Sequence, residues 1–274
     1  MSDRVTCTIT DGVADVRLNR PDKLNALDAG MFQALVETGE ALKSDAKVRA
    51  VVLSGEGRAF CAGLDFGSFQ AMAGRQEKKG DAGRGDRAVA DLTHRDGRIT
   101  NRGQQAVYVW TEMPAPVIAA VHGHALGGGM QLALGADIRI VAPDAKLSVL
   151  EIRWGLVPDM TGTQMLPRLV GLDVAKELTL TGRMVSGTEA VQLGLATRLS
   201  EQPREDALAL AAEIASNSPE AVKGAKALLN LAGQVTLEEG FKAEERIITG
   251  LIGRPNQVEA IMSYFERRSP KFSD

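Results

Sequence analysis

Cysteine, histidine and aromatic residues are all scarce in this sequence. Its 274 residues include two cysteines and three histidines, and aromatic side chains account for 4% of the chain. Cys7 and Cys61 lie far apart and form no CxxC or mixed Cys/His spacing, so the sequence predicts neither a disulfide framework nor a metal site. So few thiols fit a reducing, cytoplasmic location.

Long apolar runs and a strong charge of one sign are also missing. No stretch is long enough to span a bilayer, and Met1 to Thr10 lacks the apolar run of a signal peptide. A formal net charge of -3 provides no positive field for nucleic acid. With 44% hydrophobic residues, the composition predicts a soluble globular protein with no nucleic-acid partner and no membrane span. A small anionic ligand stays possible, because local Lys and Arg clusters can bind one.

What the chain does contain is a repeated order of strand and helix patterns. The predicted strands are Val13 to Leu18, Val48 to Leu53, Val117 to Val121 and Ile138 to Val141. Helical patterns separate them, one beginning at an Asp28 N-cap and ending at Ser44, the other covering Met130 to Leu134. This order predicts an α/β fold with buried parallel strands.

The rest of the chain divides into a polar segment and a helical end. Gly74 to Arg87 is rich in glycine and charged residues, which suits either a lid or a solvated loop. Beyond Arg198 the pattern is helical, with segments at Ala207 to Ala215, Ala221 to Leu231 and Gln257 to Arg268. Pro219 precedes the second of these, where a first-turn proline is tolerated.

Two glycine-bearing segments follow the two best strands. They are Phe60 to Asp65 and His122 to Gly129. Backbone N–H groups at such strand ends, and at the start of a following helix, can point into one crevice and stabilise a developing anion. The Gly127-Gly128-Gly129 triplet alone could equally be a tight turn, and its spacing matches neither GxGxxG nor GxxxxGK[ST].

Ordered motifs decide between these interpretations. From the N-terminus they are Asn19-Arg20-Pro21-Asp22-Lys23-Leu24-Asn25-Ala26-Leu27, Phe60-Cys61-Ala62-Gly63-Leu64-Asp65, Pro116 to Gly123 with the glycine triplet, Gly135-Ala136-Asp137, Gly155-Leu156-Val157-Pro158, Gly162-Thr163-Gln164 and Thr181-Gly182-Arg183. In this order they resemble the crotonase (enoyl-CoA hydratase/isomerase) superfamily, over nearly the whole chain.

The resemblance implies a fold, a substrate and an assembly. Residues 1–200 would form a crotonase-like repeated ββα core with the acyl-CoA site, and residues 201–274 a C-terminal helical trimerisation region. The substrate would be an acyl-CoA thioester, with no cofactor apart from the coenzyme A that the substrate carries. The protein would be a homotrimer or a dimer of trimers.

The resemblance also assigns roles to individual residues. The oxyanion hole would consist of the N–H groups of Leu64 and Gly128. Substrate-binding positions would be Lys23, Leu24, Ala26, Ala62, Gly63, Asp65 and Gly127, of which the first three match the segment beside the coenzyme A arm. For Lys23 a solvated loop lysine is an equal alternative.

The sequence departs from the hydratase pattern at one position. Hydratases of this family carry two glutamates, and the matching residues here are Gln131 and Glu151. Gln131 lies three residues after Gly128, so its amide is expected to reach the site. An amide cannot exchange protons in the working pH range, so it could only orient a water or a substrate oxygen.

Asp159 supports a different reaction. Family members that isomerise 3,5-dienoyl-CoA to 2,4-dienoyl-CoA carry an acid at the position of Asp159 and another at that of Glu151, and two such groups can move a proton along a conjugated system. The favoured hypothesis is therefore an enoyl-CoA or dienoyl-CoA isomerase with Glu151 and Asp159 as acid/base. A Pro-Asp turn is the plain alternative for Asp159, and an isomerase using Glu151 alone stays open. So do a 2-enoyl-CoA hydratase that uses Glu151 with Gln131 orienting water, and an acyl-CoA binding protein with weak or no catalysis.

Overall fold

The structure is a computed structural model that describes residues 3–65, 67, 94–95 and 97–274. The segment Gly74 to Arg87, predicted as a lid or a solvated loop, lies outside the described residues.

Six strands form the larger of two sheets. In chain order they are β1 (Val5–Thr10), β2 (Val13–Leu18), β3 (Ala50–Gly55), β4 (Val117–Val121), β6 (Ile138–Val141) and β9 (Arg198–Leu199), and they lie side by side in that order. All neighbours pair in parallel except β1, which pairs antiparallel with β2. The predicted bounds of β2, β4 and β6 are confirmed, whereas β3 begins and ends two residues later than predicted. β1 was not predicted. It is an edge strand with mostly exposed side chains, so its alternation of polar and apolar residues is a weak signal.

A smaller sheet contains β5 (His124–Leu126), β7 (Lys146–Ser148) and β8 (Val185–Ser186). Successive strands alternate between the sheets: β4 and β6 belong to the large sheet, and β5 and β7, which follow them, to the small one. After β5 the chain enters a helix, and after β7 it enters a short 3-10 helix, Glu151–Trp154. This repeat of two strands and a helix brings Gly128 and Glu151 to the same end of the small sheet.

Ten α-helices are described. They are α1 (Ala29–Lys43), α2 (Arg102–Thr111), α3 (Gly128–Leu134), α4 (Gly162–Val170), α5 (Leu172–Thr181), α6 (Gly187–Gln192), α7 (Pro203–Ala215), α8 (Pro219–Leu231), α9 (Leu237–Leu251) and α10 (Pro255–Phe265). The predicted Asp28 N-cap is confirmed, since its Oδ1 accepts the Met31 N–H at 2.8 Å. Pro219 occupies the first turn of α8, as predicted. α2, α4, α5, α6 and α9 were not predicted.

The C-terminal helices begin as part of the core. α7 packs Ala207, Ala211 and Ala215 against Val52 and Ile118 of the sheet. Farther on, Lys226 of α8 is buried and bonds both the Ala115 carbonyl at 3.1 Å and Asp137 at 2.7 Å. The first helix beyond residue 200 thus covers the sheet of the core. The division of the chain at residue 200 stays a prediction.

Among the described residues, no helix combines the length and apolar character needed to cross a membrane.

Candidate active site

A cavity of about 280 Å³ opens where the glycine-bearing segments and the 3-10 helix meet. Of the residues assigned from the sequence, it is lined by Ala62, Gly63, Leu64, Gly127, Gly128, Glu151 and Asp159. The structure therefore brings together residues from four separate segments of the chain. The remaining walls are mainly apolar.

The first candidate donor, Leu64, lies in an extended segment beside Leu27. Leu27 donates its N–H to the Gly63 carbonyl at 2.7 Å, and Asp65 donates its N–H to the Leu27 carbonyl at 3.0 Å. Since backbone groups alternate in direction along an extended chain, the Leu64 N–H points away from Leu27. It has no hydrogen-bond acceptor within the described part of the chain, so it is available to a ligand.

The second candidate donor, Gly128, is the first residue of α3. Gly127 precedes it with φ +53°, a left-handed conformation that glycine adopts without a steric penalty. The Gly127 N–H donates a hydrogen bond to the Ser148 carbonyl at 2.8 Å. The Gly128 N–H has no intrahelical acceptor at this position, and no described residue accepts it.

Gly63 brings the two donor segments together. A Cβ built on this residue would lie 2.5 Å from the Leu126 carbonyl oxygen and 3.6 Å from the Gly128 nitrogen, and the residue has φ +88°. Only glycine tolerates both the conformation and the approach. Leu64 and Gly128 are thus held next to each other on one cavity wall, as an oxyanion hole requires.

Glu151 is the buried carboxylate of this cavity, with 9% of the residue exposed. Its Oε1 accepts a hydrogen bond from Gln131 Nε2 at 2.6 Å, and its buried Oε2 has no partner among the described residues. Burial raises the pKa of this carboxyl, the hydrogen bond from Gln131 opposes that rise, and the nearby charge of Asp159 adds to it. Gln131 thus holds Oε1, whereas Oε2 has no hydrogen-bond partner among the described residues.

Gln131 lies behind Glu151 rather than on the cavity surface. It is fully buried, and its Oε1 accepts the N–H groups of Met160 at 2.9 Å and Gly162 at 3.0 Å. Its side chain is therefore held at both ends and directed at Glu151. The amide does reach the carboxylate region from α3, but it contacts no part of the cavity where a water could lie.

Asp159 lies on the outer side of the same cavity. The residue is exposed as a whole, but its carboxyl is partly buried, and this burial raises the pKa of the carboxyl. It also borders a second cavity. The two carboxylates therefore lie close enough to interact electrostatically but in different surroundings.

The other residues assigned to substrate binding do not line this cavity. Lys23 is exposed in a 3-10 helix, Pro21–Lys23, and the Leu24 carbonyl accepts the Ala62 N–H at 2.9 Å. Ala26 is buried, and Asp65 pairs with Arg20 at 3.1 Å. Their contact with the coenzyme A arm stays a prediction.

Arg20 supports the donor segment, although no role for it was deduced from the sequence. It is 9% exposed, donates to the Ala26 carbonyl at 2.7 Å and pairs with Asp28 at 3.3 Å as well as with Asp65. These bonds fix the loop that precedes α1 against the segment carrying Leu64. The only sequence signal was an arginine beside a proline in a turn.

Apolar wall residues were also missed by sequence reasoning. They are Leu27, Phe32, Leu126, Leu156, Val157 and Met160. Nothing distinguishes such residues from core residues in a single sequence. In the described part of the chain, no group of three His, Cys, Asp or Glu side chains could hold a metal ion.

The chain is similar to known proteins in both sequence and structure. A family model described as enoyl-CoA hydratase/isomerase matches residues 8–274. The chain is 33% identical to a Bacillus subtilis (strain 168) protein described as a probable enoyl-CoA hydratase, over 98% of each chain. It is 32% identical to the peroxisomal Delta(3,5)-Delta(2,4)-dienoyl-CoA isomerase of Arabidopsis thaliana, over 93% of this chain and 91% of the other. The crystal structure of an enoyl-CoA hydratase from Bacillus anthracis superimposes with a TM-score of 0.84 at 32% identity, over 98% of each chain.

Proposed function

Because this chain belongs to the enoyl-CoA hydratase/isomerase family and has the crotonase fold, we propose that it isomerises double bonds in an acyl-CoA thioester, with Glu151 and Asp159 as the proton-transferring groups. The observation that carries the proposal is the pair of carboxyls on one cavity, both with a raised pKa, facing two unused backbone N–H groups. A raised pKa brings a carboxyl closer to the range in which it can both take and give a proton.

The first step uses the inner wall of the cavity, which carries Leu64, Gly128 and Glu151. The thioester oxygen binds the N–H groups of Leu64 and Gly128, and the carboxylate of Glu151 removes a proton from the carbon next to the thioester. The negative charge spreads onto the thioester oxygen as an enolate, which preorganised donors stabilise.

The second step uses the outer wall of the cavity, which carries Asp159. In a 3,5-dienoyl substrate the negative charge extends along the conjugated system to its far end. Protonated Asp159 gives its proton to that carbon, which leaves a 2,4-dienoyl thioester. Glu151 holds the proton it removed, and exchange with solvent restores both groups. In a 3-enoyl substrate Glu151 alone can remove the proton and return it two carbons away.

A 2-enoyl-CoA hydratase is the second candidate, and the name of the Bacillus subtilis relative favours it. Hydration needs a water held beside the substrate. Gln131 does not contact the cavity, and its oxygen already accepts two N–H groups, so the geometry argues against the version in which Gln131 orients that water. An acyl-CoA binding protein without chemistry gives no reason for the free, buried Oε2 of Glu151.

Three substrates and one variant test the proposal. Purified protein is offered a 2-enoyl-CoA, a 3-enoyl-CoA and a 3,5-dienoyl-CoA, and the absorbance of each is followed. We expect isomerisation of the last two, and we expect Asp159→Asn to slow the dienoyl reaction about 10²-fold while affecting the 3-enoyl reaction much less. Faster hydration of the 2-enoyl substrate would replace isomerisation as the activity, and an unchanged dienoyl rate in the variant would remove Asp159 from the mechanism.

The C-terminal helices bear on the assembly of the protein. The C-terminal helices expose large apolar side chains, including Leu237 at 77%, Phe241 at 62% and Phe265 at 75%. Such surfaces usually become buried in an interface, so we include a homotrimer or a dimer of trimers in the proposal. A cytoplasmic location and the use of no cofactor besides the coenzyme A of the substrate are proposed with it.

A further inference from the structure

A second cavity of about 520 Å³ lies beyond Asp159. Asp159 borders both cavities and is the residue that their linings share. Its lining differs in character, because it includes the polar side chains of Gln104, Tyr108, Thr163, Gln164 and Arg168. The first cavity has mainly apolar walls, so the second cavity is the more polar of the two.

Arg168 is the only cation among the described residues that line this cavity. It makes no hydrogen bond or ion pair with any residue that the structure describes, although carboxylates lie nearby. Glu112, in the same lining, pairs with Lys43 at 3.0 Å and accepts from Gln105 at 3.1 Å. Asp137, in the groove on the other side of Arg168, pairs with Lys226 at 2.7 Å. Asp159, the other carboxylate of the lining, makes no ion pair with Arg168. The positive charge of Arg168 is therefore available to a ligand.

Thr161 gives a second, independent indication. Its Oγ1 is buried and has no partner among the described residues, and the residue lines the second cavity. A buried hydroxyl without a partner is costly. Thr161 also has φ +73°, which is unusual for a β-branched residue. Since the Oγ1 atom has almost no accessible surface, a ligand with acceptor oxygens would satisfy the hydroxyl after rotation of the side chain about χ1.

We propose that the second cavity binds the distal end of the acyl group and that the preferred acyl group ends in a carboxylate. This inference rests on the proposed acyl-CoA function, because it places the thioester at Leu64 and Gly128 and directs the chain past Glu151 and Asp159. The terminal carboxylate pairs with Arg168 and accepts a hydrogen bond from Thr161. An acyl chain with an alkyl end leaves both groups unpaired, and this difference produces the selectivity.

Binding of unreactive ligands tests the inference separately from the reaction. The probes are two saturated acyl-CoA thioesters of equal chain length, one ending in a carboxylate and the other in a methyl group, and the measurement is the Kd by calorimetry. We expect the wild-type protein to bind the carboxylated probe more tightly. Arg168→Gln should raise its Kd about tenfold and leave the Kd of the methyl-ended probe within about twofold.

Two further variants complete the experiment. Arg198→Gln removes an exposed arginine on β9, an edge strand of the large sheet that lines neither cavity. This control substitution should change neither Kd. Thr161→Val keeps the side-chain shape, and should weaken only the carboxylated probe, about threefold. Thermal unfolding of each variant confirms that it is folded.

The outcomes separate the inference from the function. Equal Kd values for the two probes, or an equal effect of Arg168→Gln on both, would overturn the second cavity as a carboxylate site while leaving the isomerase proposal intact. Selective binding without turnover of any enoyl-CoA would support the carboxylate site and overturn the isomerase. If neither probe binds, both fail.

Discussion

The inner and outer walls of the active-site cavity are built in opposite ways. On the inner wall, Glu151 is buried and bonded to Gln131, which is in turn held by the N–H groups of Met160 and Gly162. On the outer wall, Asp159 is exposed, and so are its neighbours Trp154 at 50% and Val157 at 68%. Two acids of one cavity thus differ in how firmly the fold positions them.

This difference suggests a division of labour. Proton removal next to the thioester occurs in the same place for every substrate, so its base can be fixed. The distal carbon lies at a different distance in each acyl chain, so the group that serves it belongs on a less constrained wall. Substitutions on the two walls should therefore differ in size and in substrate dependence.

The largest effect is expected from Glu151→Gln, which keeps the shape of the inner wall and removes its base. Turnover should fall about 10³-fold or more on every enoyl-CoA substrate, because no other described inner-wall group can take the proton. The Kd of a saturated acyl-CoA should change little, and calorimetry beside steady-state kinetics would show both. Retained activity with 3-enoyl substrates would place the base elsewhere and end the contrast between the walls.

The next largest effect is expected from Gly63→Ala. The new Cβ would meet the Leu126 carbonyl at 2.5 Å with φ +88°, so the two donor segments must separate. We expect turnover to fall about 10²-fold and stability to fall by about 1–3 kcal/mol, measured by kinetics and denaturant unfolding.

A glycine elsewhere serves as the control for Gly63. Gly240 lies within α9 with open space around its Cβ position, so Gly240→Ala should leave turnover unchanged and stabilise the helix slightly. If Gly63→Ala behaved in the same way, the donor segments would not need this close approach.

The smallest effect is expected from Gln131→Ala, which frees the inner base without removing it. Turnover should fall about tenfold, because Glu151 loses the bond that positions it. The hydrogen bond from Gln131 lowers the pKa of Glu151, so removing it raises that pKa further. Since the base acts when deprotonated, the acidic limb of the pH-rate profile should move to higher pH.

Gln105 provides the matched control for that pH shift. It is a buried glutamine that bonds Glu40 and Glu112 away from the first cavity. Gln105→Ala should cost comparable stability and leave the acidic limb where it is. An identical shift in both variants would mean that the limb reports folding rather than the ionisation of Glu151.

Much of the framework was readable along the chain. The strands Val13 to Leu18, Val117 to Val121 and Ile138 to Val141 have the predicted bounds, because each is a short apolar or alternating run between clear turn residues. The ordered motifs also identified the family. Among the elements that were missed, β1 is an edge strand and α9 is a helix with an exposed apolar face, and both lack the burial pattern on which such predictions depend. The short strands β5, β7, β8 and β9 and the helices α2, α4, α5 and α6 were missed as well.

Residue types and their order by themselves determined which chemical groups this protein can use: two glycine segments after strands, carboxylates at Glu151 and Asp159, and an amide where hydratases carry an acid. Only the tertiary structure decided that Gln131 faces Glu151 instead of the cavity, that Arg168 has no counterion in the described part of the chain, and that the two carboxylates meet different surroundings. The physical reason is that hydrogen-bond partners, burial and the pairing of charges depend on segments far apart in sequence, which local periodicity cannot bring together.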